Sequence, residues 1–272
     1  MNRDQHLDAS WQGWLEENIE RGCSRIELVD ILRAHGFSIA SIRQNMGDAF
    51  PLDRPQWESL QPPRLVRRMP PKLRKIPTGN LELYTLDDCL SVEQCDQLVR
   101  LIGYHLRPST VSIEGPDELF RTSRTCDLSL LHNRIVLHCD ERIAKTLGIR
   151  REYSEGIQGQ QYEVGQEFKA HTDYFAPGTP EYGKYASERG NRTWTFMVYL
   201  NEGMVGGGTK FLAIDRTFVP KKGQAVIWNN LNADGTPNPA TLHAGEPLIR
   251  GRKVIITKWF RQLGSGPMYY ED

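Results

Sequence analysis

The residues best placed to do chemistry begin with His171-Thr172-Asp173. In an extended segment, positions i and i+2 point to one face, so this imidazole and this carboxylate can reach a single metal ion. A third ligand has to come from elsewhere. Of the seven histidines, the candidate is His243, in Pro239-Ala-Thr-Leu-His243-Ala-Gly245, with a strand-rich segment between the two motifs. Two imidazoles and one carboxylate on one face of an iron leave positions open for other ligands, the arrangement of non-haem Fe(II) oxygen chemistry. A bare His-x-Asp arises by chance, and a lone His is more often structural, so support is needed. It comes from Lys253, which opens Lys253-Val-Ile-Ile-Thr-Lys-Trp-Phe260. Period-two alternation puts Lys253, Ile255, Thr257 and Trp259 on one face. A lysine there is costly to bury unless it meets an anion, and a dicarboxylate cosubstrate would supply one. Trp259, sharing that face, is expected to contact substrate.

The elements that must position these residues are short strands. Thr193-Trp-Thr-Phe-Met-Val-Tyr-Leu200 reads as a buried strand, with Thr209–Ala213 and Ala225–Trp228 as further short ones between Gly and Asn turns. That pattern favours a sandwich or barrel. Between the metal motif and the first of these strands, residues 176–191 are rich in Gly, Pro, Tyr and charge, which suits a mobile loop over a site mouth. Upstream, Leu81–Leu86 predicts a strand, Ser91 caps a helix holding Cys95, Leu98, Leu101 and Ile102, and residues 133–147 predict a second helix. His105, His132 and His138 lack ligand spacing and read as surface or satisfied histidines.

Residues 1–49 read as a small helical unit. Trp11, Trp14, Leu15 and Ile19 recur at helical spacing with Gly22 as a stop; Ser24-x-x-Glu27 is a capping box, Gly36 suits a C-terminal cap, and Ser38 can cap a third helix. Residues 50–80 form a proline-rich linker, with six basic and no acidic residues between Ser59 and Leu81. Without interleaved aromatics this basic arm reads as solvated, and no nucleic-acid partner is expected. Residues 81–272 form the third unit, carrying the chemistry.

From residue 80 onward, motifs in order resemble the prolyl 4-hydroxylase-like Fe(II)/2-oxoglutarate dioxygenases. These are Leu90-Ser-Val-Glu-Gln-Cys95, Arg121-Thr-Ser123 and Tyr162-x-x-Gly165-Gln-x-Phe168-x-x-His171-x-Asp173-Tyr-Phe175. Met197-Val-Tyr-Leu200, Gly206-Gly-Gly-Thr209, Lys222-Gly-Gln-Ala-Val226, Asp234-Gly-Thr, His243-Ala-Gly245, Lys253 and Lys258-Trp259 complete them. The resemblance implies an α+β fold, mainly β: a double-stranded β-helix (jelly roll) backed by helices. It also implies Fe(II), 2-oxoglutarate and O2, with ascorbate support, and hydroxylation of a C–H bond with release of succinate and CO2. His171, Asp173 and His243 would hold iron, and Lys253 would pair with the distal carboxylate of 2-oxoglutarate. Tyr162 and Thr209 match positions that hydrogen-bond that carboxylate, and Arg192 matches one lining the substrate groove. Related halogenases have Ala or Gly in place of the carboxylate, so Asp173 points to hydroxylation. Phe168 departs from the pattern, standing where many prolyl hydroxylases carry Tyr.

Substrates left open are a prolyl residue in a peptide or protein, a free amino acid, or another small metabolite. A zinc hydrolase could use the same ligands but has no need of Lys253, and a non-catalytic jelly-roll binding module would not need the triad. Basic and acidic residues balance at 34 each, so no global affinity for polyanions follows. No apolar run reaches about 18 residues, so no transmembrane helix is expected. Met-Asn-Arg-Asp-Gln-His lacks a secretory apolar core, and five cysteines without Cys-x-x-Cys spacing suggest reduced thiols in the cytoplasm.

Overall fold

The computed structural model describes residues 7–50 (36 and 38 excepted), 72–109, 121–186 and 189–270. The N-terminal part holds helices α1 (Ala9–Glu20), α2 (Arg25–Ala34) and α3 (Ile39–Met46). Asp8 caps α1 by accepting from the Trp11 amide at 3.0 Å, and Gly22 ends its turn with φ +77°. The Glu27 amide donates to Ser24 Oγ at a long 3.5 Å. These amphipathic helices are too short to be stable alone, and they bury Leu15, Leu28, Val29, Leu32, Phe37, Ile42 and Met46 in a core of their own. The capping roles expected of Gly36 and Ser38, and most of the basic linker (51–71), lie outside the described residues.

The strands are β1 (Leu73–Lys75), β2 (Leu83–Leu86), β3 (Arg107–Pro108), β4 (Arg124–Asp127), β5 (Gln158–Tyr162), β6 (Phe168–His171) and β7 (Arg192–Tyr199). They continue as β8 (Val205–Gly206), β9 (Thr209–Phe211), β10 (Arg216–Phe218), β11 (Ala225–Asn229), β12 (His243–Gly245), β13 (Leu248–Arg250) and β14 (Lys253–Arg261). An eight-stranded sheet runs β1-β2-β11-β7-β14-β5-β4-β3 and a four-stranded sheet β10-β9-β12-β6, with β13-β8 as a small third. Their pairings are antiparallel. Leu73–Lys75, which the composition assigns to the linker, is an edge strand of the large sheet.

Period-two alternation splits the large sheet into two chemically different faces. Trp194, Phe196 and Val198 of β7, Ile227 of β11, and Val254, Ile256 and Phe260 of β14 point into one core. The helices α4 (Val92–Tyr104) and α5 (Arg134–Leu147) cover it. Ser91 and Gln94 close a capping box on α4, while Asn133 caps α5 and Gly148 at φ +71° ends it. The opposite face contributes Tyr162, Met197, Tyr199, Val226, Trp228 and Ile255, which pack with Phe211 and Phe218 of the four-stranded sheet. Two antiparallel sheets closing on one apolar interior, with helices behind one of them, make the double-stranded β-helix. Residues 176–191, expected to be loop throughout, contain a short helix α6 (Pro180–Tyr185). Thr179 caps it and Pro180, lacking an N–H that a first helical turn would leave unpaired, starts it.

Candidate metal and cosubstrate site

The two histidines of the expected triad are opposite each other in the register of β6 and β12. Their rings stand 4.3 Å apart. Asp173 lies two residues beyond the end of β6, past the strand rather than within it, and its Oδ1 is 3.9 Å from His171 Nε2. One ligand atom from each of His171, Asp173 and His243 falls within 4.8 Å of the others, so a single ion can touch all three. The ring orientations suit it. His171 Nδ1 bonds the Lys169 carbonyl at 2.8 Å and His243 Nδ1 the Thr241 carbonyl at 2.9 Å. A carbonyl can only accept, so Nδ1 carries the proton and each Nε2 keeps its lone pair for a metal. Burial, then the neighbouring His243, pushes the His171 pKa down, which keeps its imidazole neutral. Burial pulls Asp173 the other way, but nearby positive charge, Arg192 included, and the Thr195 hydroxyl outweigh it and hold the carboxyl below its usual range. Two neutral nitrogens and one anionic oxygen on adjoining β-strands and their ends fit a divalent ion of the Fe(II) or Zn(II) kind.

Phe168 stacks on His171 at 3.5 Å, and Phe211 and Trp228 flank His243 at 5.4 and 4.9 Å. This aromatic shell limits water access to the ligands. Thr195 Oγ1 donates to Asp173 Oδ2 at 2.7 Å.

The same cavity reaches Lys253. Its side chain is 2% exposed, and it has no hydrogen bond or ion pair among the described residues. The ammonium meets the faces of Tyr162 and Tyr199 at 5.0 and 5.8 Å. Burial pushes its pKa down to about 8, against a weaker pull from Glu246. A buried cation facing aromatic rings, without an acceptor, fits a site for an anionic group. The register brings Tyr162 opposite Lys253 on β5, and Thr209 lines the same cavity, accepting from Tyr199 Oη at 2.7 Å. Gly207, at φ +70°, leaves room for the lysine stem: a Cβ there would stand 3.3 Å from Lys253 Cδ.

Of the two expected substrate residues, Trp259 lines the cavity and its indole N–H has no partner among the described residues. Arg192 does not line it. The guanidinium lies over the Trp259 ring at 4.0 Å and donates to both Glu155 oxygens at 2.7 and 2.8 Å. Glu155 also accepts from Arg261 Nη1 at 2.9 Å. Burial raises the Glu155 pKa, yet the two arginines overcome it and hold the carboxyl down to about 2. Arg261 ties α6 and its exit to the sheet by donating to the Tyr185 and Gly190 carbonyls. Lys258, on the other face of β14, is buried against Asp140. Arg121 is a cavity residue that spacing alone did not single out for a role. It lies over Phe168 at 4.9 Å and donates to Gln158 Oε1 at 3.0 Å. Its only sequence signal is the Arg121-Thr-Ser123 motif.

Residues 157–261 match the family model described as the 2OG-Fe(II) oxygenase superfamily. Similar proteins include prolyl 4-hydroxylase subunit alpha-1 of Bos taurus, 32% identical over 182 residues, covering 65% of this chain and 34% of that protein. The probable prolyl 4-hydroxylase 3 of Arabidopsis thaliana is 31% identical over 193 residues, covering 62% of this chain and 66% of that protein. The chain thus spans about a third of its animal relative's length and just under two thirds of its plant relative's. Among solved structures, a viral collagen prolyl hydroxylase from Paramecium Bursaria Chlorella virus-1, in its 2OG complex, aligns at a TM-score of 0.51 with 23% identity. That alignment covers 66% of this chain and 94% of that one, and it speaks for the fold. The matched motifs and the assembled triad make residues 157–261 a match to the 2OG-Fe(II) oxygenase superfamily, and the chain is similar to prolyl 4-hydroxylases within it.

Proposed function

We propose that the chain is an Fe(II)- and 2-oxoglutarate-dependent dioxygenase that hydroxylates an unactivated C–H bond of a prolyl residue in a peptide or protein, releasing succinate and CO2. The observation that carries this reading is the buried Lys253 ammonium, without an acceptor among the described residues, in the same cavity as His171, Asp173 and His243. A metal hydrolase would have no use for it. The choice of a prolyl substrate rests on relatives about a third identical that are named as prolyl 4-hydroxylases.

In this reading His171 Nε2, His243 Nε2 and an Asp173 oxygen hold the iron. The Fe(II)–2-oxoglutarate pair, when bound, supplies the oxidation of the C–H bond by O2. The chain's own residues bind, orient and exclude water. Lys253 pairs with the distal carboxylate of 2-oxoglutarate, and the Tyr162 and Thr209 hydroxyls add hydrogen bonds to it. Met197, Trp228 and Ile255 keep the interior dry. At the outer end Trp259 orients the substrate, and the Glu155-braced Arg192, stacked on its ring, holds Trp259 in place. Residues 81–272 act as the catalytic domain, 50–80 as the connector whose β1 reaches back to the sheet, and 1–49 as a separate helical unit. Five unpaired cysteines support a reducing, cytoplasmic setting. Among the described residues no helix is long and apolar enough to cross a membrane.

The test is aerobic turnover with Fe(II) and 2-oxoglutarate on proline-rich peptides and, in parallel, on free amino acids. The expected result is succinate formed together with hydroxyproline in the peptide. Hydroxylation confined to free amino acids would contradict the peptidyl assignment, and no succinate above background would contradict the reaction class.

A further inference from the structure

Behind Asp173 the hydrogen bonds run one way. Trp228 Nε1 donates to Asn230 Oδ1 at 3.0 Å, Asn230 Nδ2 donates to Thr195 Oγ1 at 2.8 Å, and Thr195 Oγ1 donates to Asp173 Oδ2 at 2.7 Å. An indole N–H can only donate, so it fixes which end of the Asn230 amide faces it. The amide NH2 then fills a lone pair of the Thr195 hydroxyl, and that hydroxyl's single proton is left for the carboxylate. No member can be reversed without stranding another. Thr195 and Asn230 are 0% exposed and Trp228 is 1% exposed, so water cannot substitute for any of them.

The sheet builds this chain of bonds. Thr195 and Trp228 are opposite each other in the register of β7 and β11, and Asn230 follows Trp228 by two residues. The Asn230 backbone is held from both sides: its amide donates to the Thr193 carbonyl at 2.6 Å and its carbonyl accepts from Asn238 at 2.9 Å. The Trp228 ring also stands edge-on to His243, so one side chain contacts one proposed ligand and orients another.

We propose that Trp228, Asn230 and Thr195 are positioning residues for the metal centre. By occupying Oδ2 they hold Asp173 as a one-oxygen ligand, with Oδ1 directed toward His171 Nε2. This deepens, and rests on, the reading of His171, Asp173 and His243 as metal ligands. Without the Thr195 proton the carboxylate can rotate and lose the preset aim of Oδ1 toward His171 Nε2. Outer-shell partners of this kind typically change metal affinity by about 10- to 100-fold.

The experiment is an anaerobic Co(II) titration of the full-length protein, followed by its visible absorption spectrum, with melting of the metal-free protein measured alongside. Thr195→Val keeps the shape and removes the proton donor; Thr195→Ser returns the donor. Expected are Co(II) binding weakened by about tenfold or more in Thr195→Val with an altered spectrum, and recovery of both in Thr195→Ser. Unchanged affinity and spectrum in Thr195→Val, or no recovery in Thr195→Ser, would overturn the proposal. If Thr195→Val does not fold, Thr195→Ala, read against the recovery in Thr195→Ser, carries the test, because it too removes the proton donor to Asp173 and leaves Trp228 against His243. Weaker binding with a changed spectrum supports the chain of bonds, and wild-type behaviour overturns it. A wild-type protein that binds no Co(II) would overturn the metal reading as well; wild-type binding with an indifferent Thr195→Val overturns this inference alone.

Discussion

Replacing Lys253 with methionine should make the ligand-free protein more stable while crippling cosubstrate binding. The residue is 2% exposed, its ammonium meets tyrosine faces and no acceptor among the described residues, and burial lowers its pKa from 10.5 to about 8. At roughly 1.4 kcal/mol per tenfold change in proton affinity, that depression means that the charged lysine costs the folded, ligand-free protein about 3 kcal/mol at neutral pH. Methionine keeps an unbranched stem of similar size without the charge, so up to that amount should be regained. The sign with pH follows from the depressed value. The penalty is complete below about pH 8 and lifts as pH rises toward 10.5, so the wild type, but not Lys253→Met, gains stability over that window from this group. Binding responds in the opposite sense. Leaving one partner of a buried charge pair unpaired costs roughly 3–5 kcal/mol, or about a hundredfold to a few thousandfold in 2-oxoglutarate affinity. Lys253→Arg should restore only part of this, because a forked guanidinium does not match a site shaped for an ammonium. Urea unfolding across pH gives the first quantity. Anaerobic 2-oxoglutarate titration of the Fe(II) protein, read by charge-transfer absorbance, gives the second. An unchanged dissociation constant in Lys253→Met would refute the anchor assignment, and a Met variant less stable than wild type at pH 7 would refute the burial argument.

Two other perturbations test the surrounding site. His171→Ala, Asp173→Ala and His243→Ala should each abolish stoichiometric Fe(II) binding while leaving the circular dichroism of the fold in place, and wild-type binding in any one removes it from the triad. Glu155→Gln should leave Arg192 and Arg261 without their shared anion, raising the peptide KM more than it lowers kcat. The Glu155 carboxyl, held down to about 2, contributes stability that is present above its ordinary value of 4.5 and lost as pH falls toward 2. Acid unfolding of Glu155→Gln should therefore lack that component, and identical acid profiles would contradict the pairing.

Much of the site was legible because it depends on short-range geometry. Lys253, Ile255, Thr257 and Trp259 share a face for the reason any alternate strand residues do, and all four line the cavity. His171 and Asp173 lie close enough in sequence that a strand and its end bring both to one point. The helices α4 and α5 were marked by Ser91 and by the apolar spacing of 133–147. What spacing could not supply was pairing across the fold. Glu155 precedes β5 with no motif of its own, and its importance lies in two arginines brought from β7 and β14. Thr195 and Asn230 look like ordinary strand and turn residues until antiparallel register aligns them behind Asp173. The α6 helix was missed because six residues carry too little periodicity against a background of Gly and Pro; only Thr179-Pro180 marks its start.

The central claim, that one cavity binds Fe(II) through the triad and 2-oxoglutarate through Lys253, is tested most directly by an anaerobic titration of the metal-free protein. Fe(II) is added first, then 2-oxoglutarate, with absorbance followed throughout. One equivalent of Fe(II) should bind, and a charge-transfer band should then appear that requires both additions and is discharged by O2 with formation of succinate. A protein that takes up Zn(II) in preference, gives no band with Fe(II) and 2-oxoglutarate, and forms no succinate on admitting O2 would contradict it.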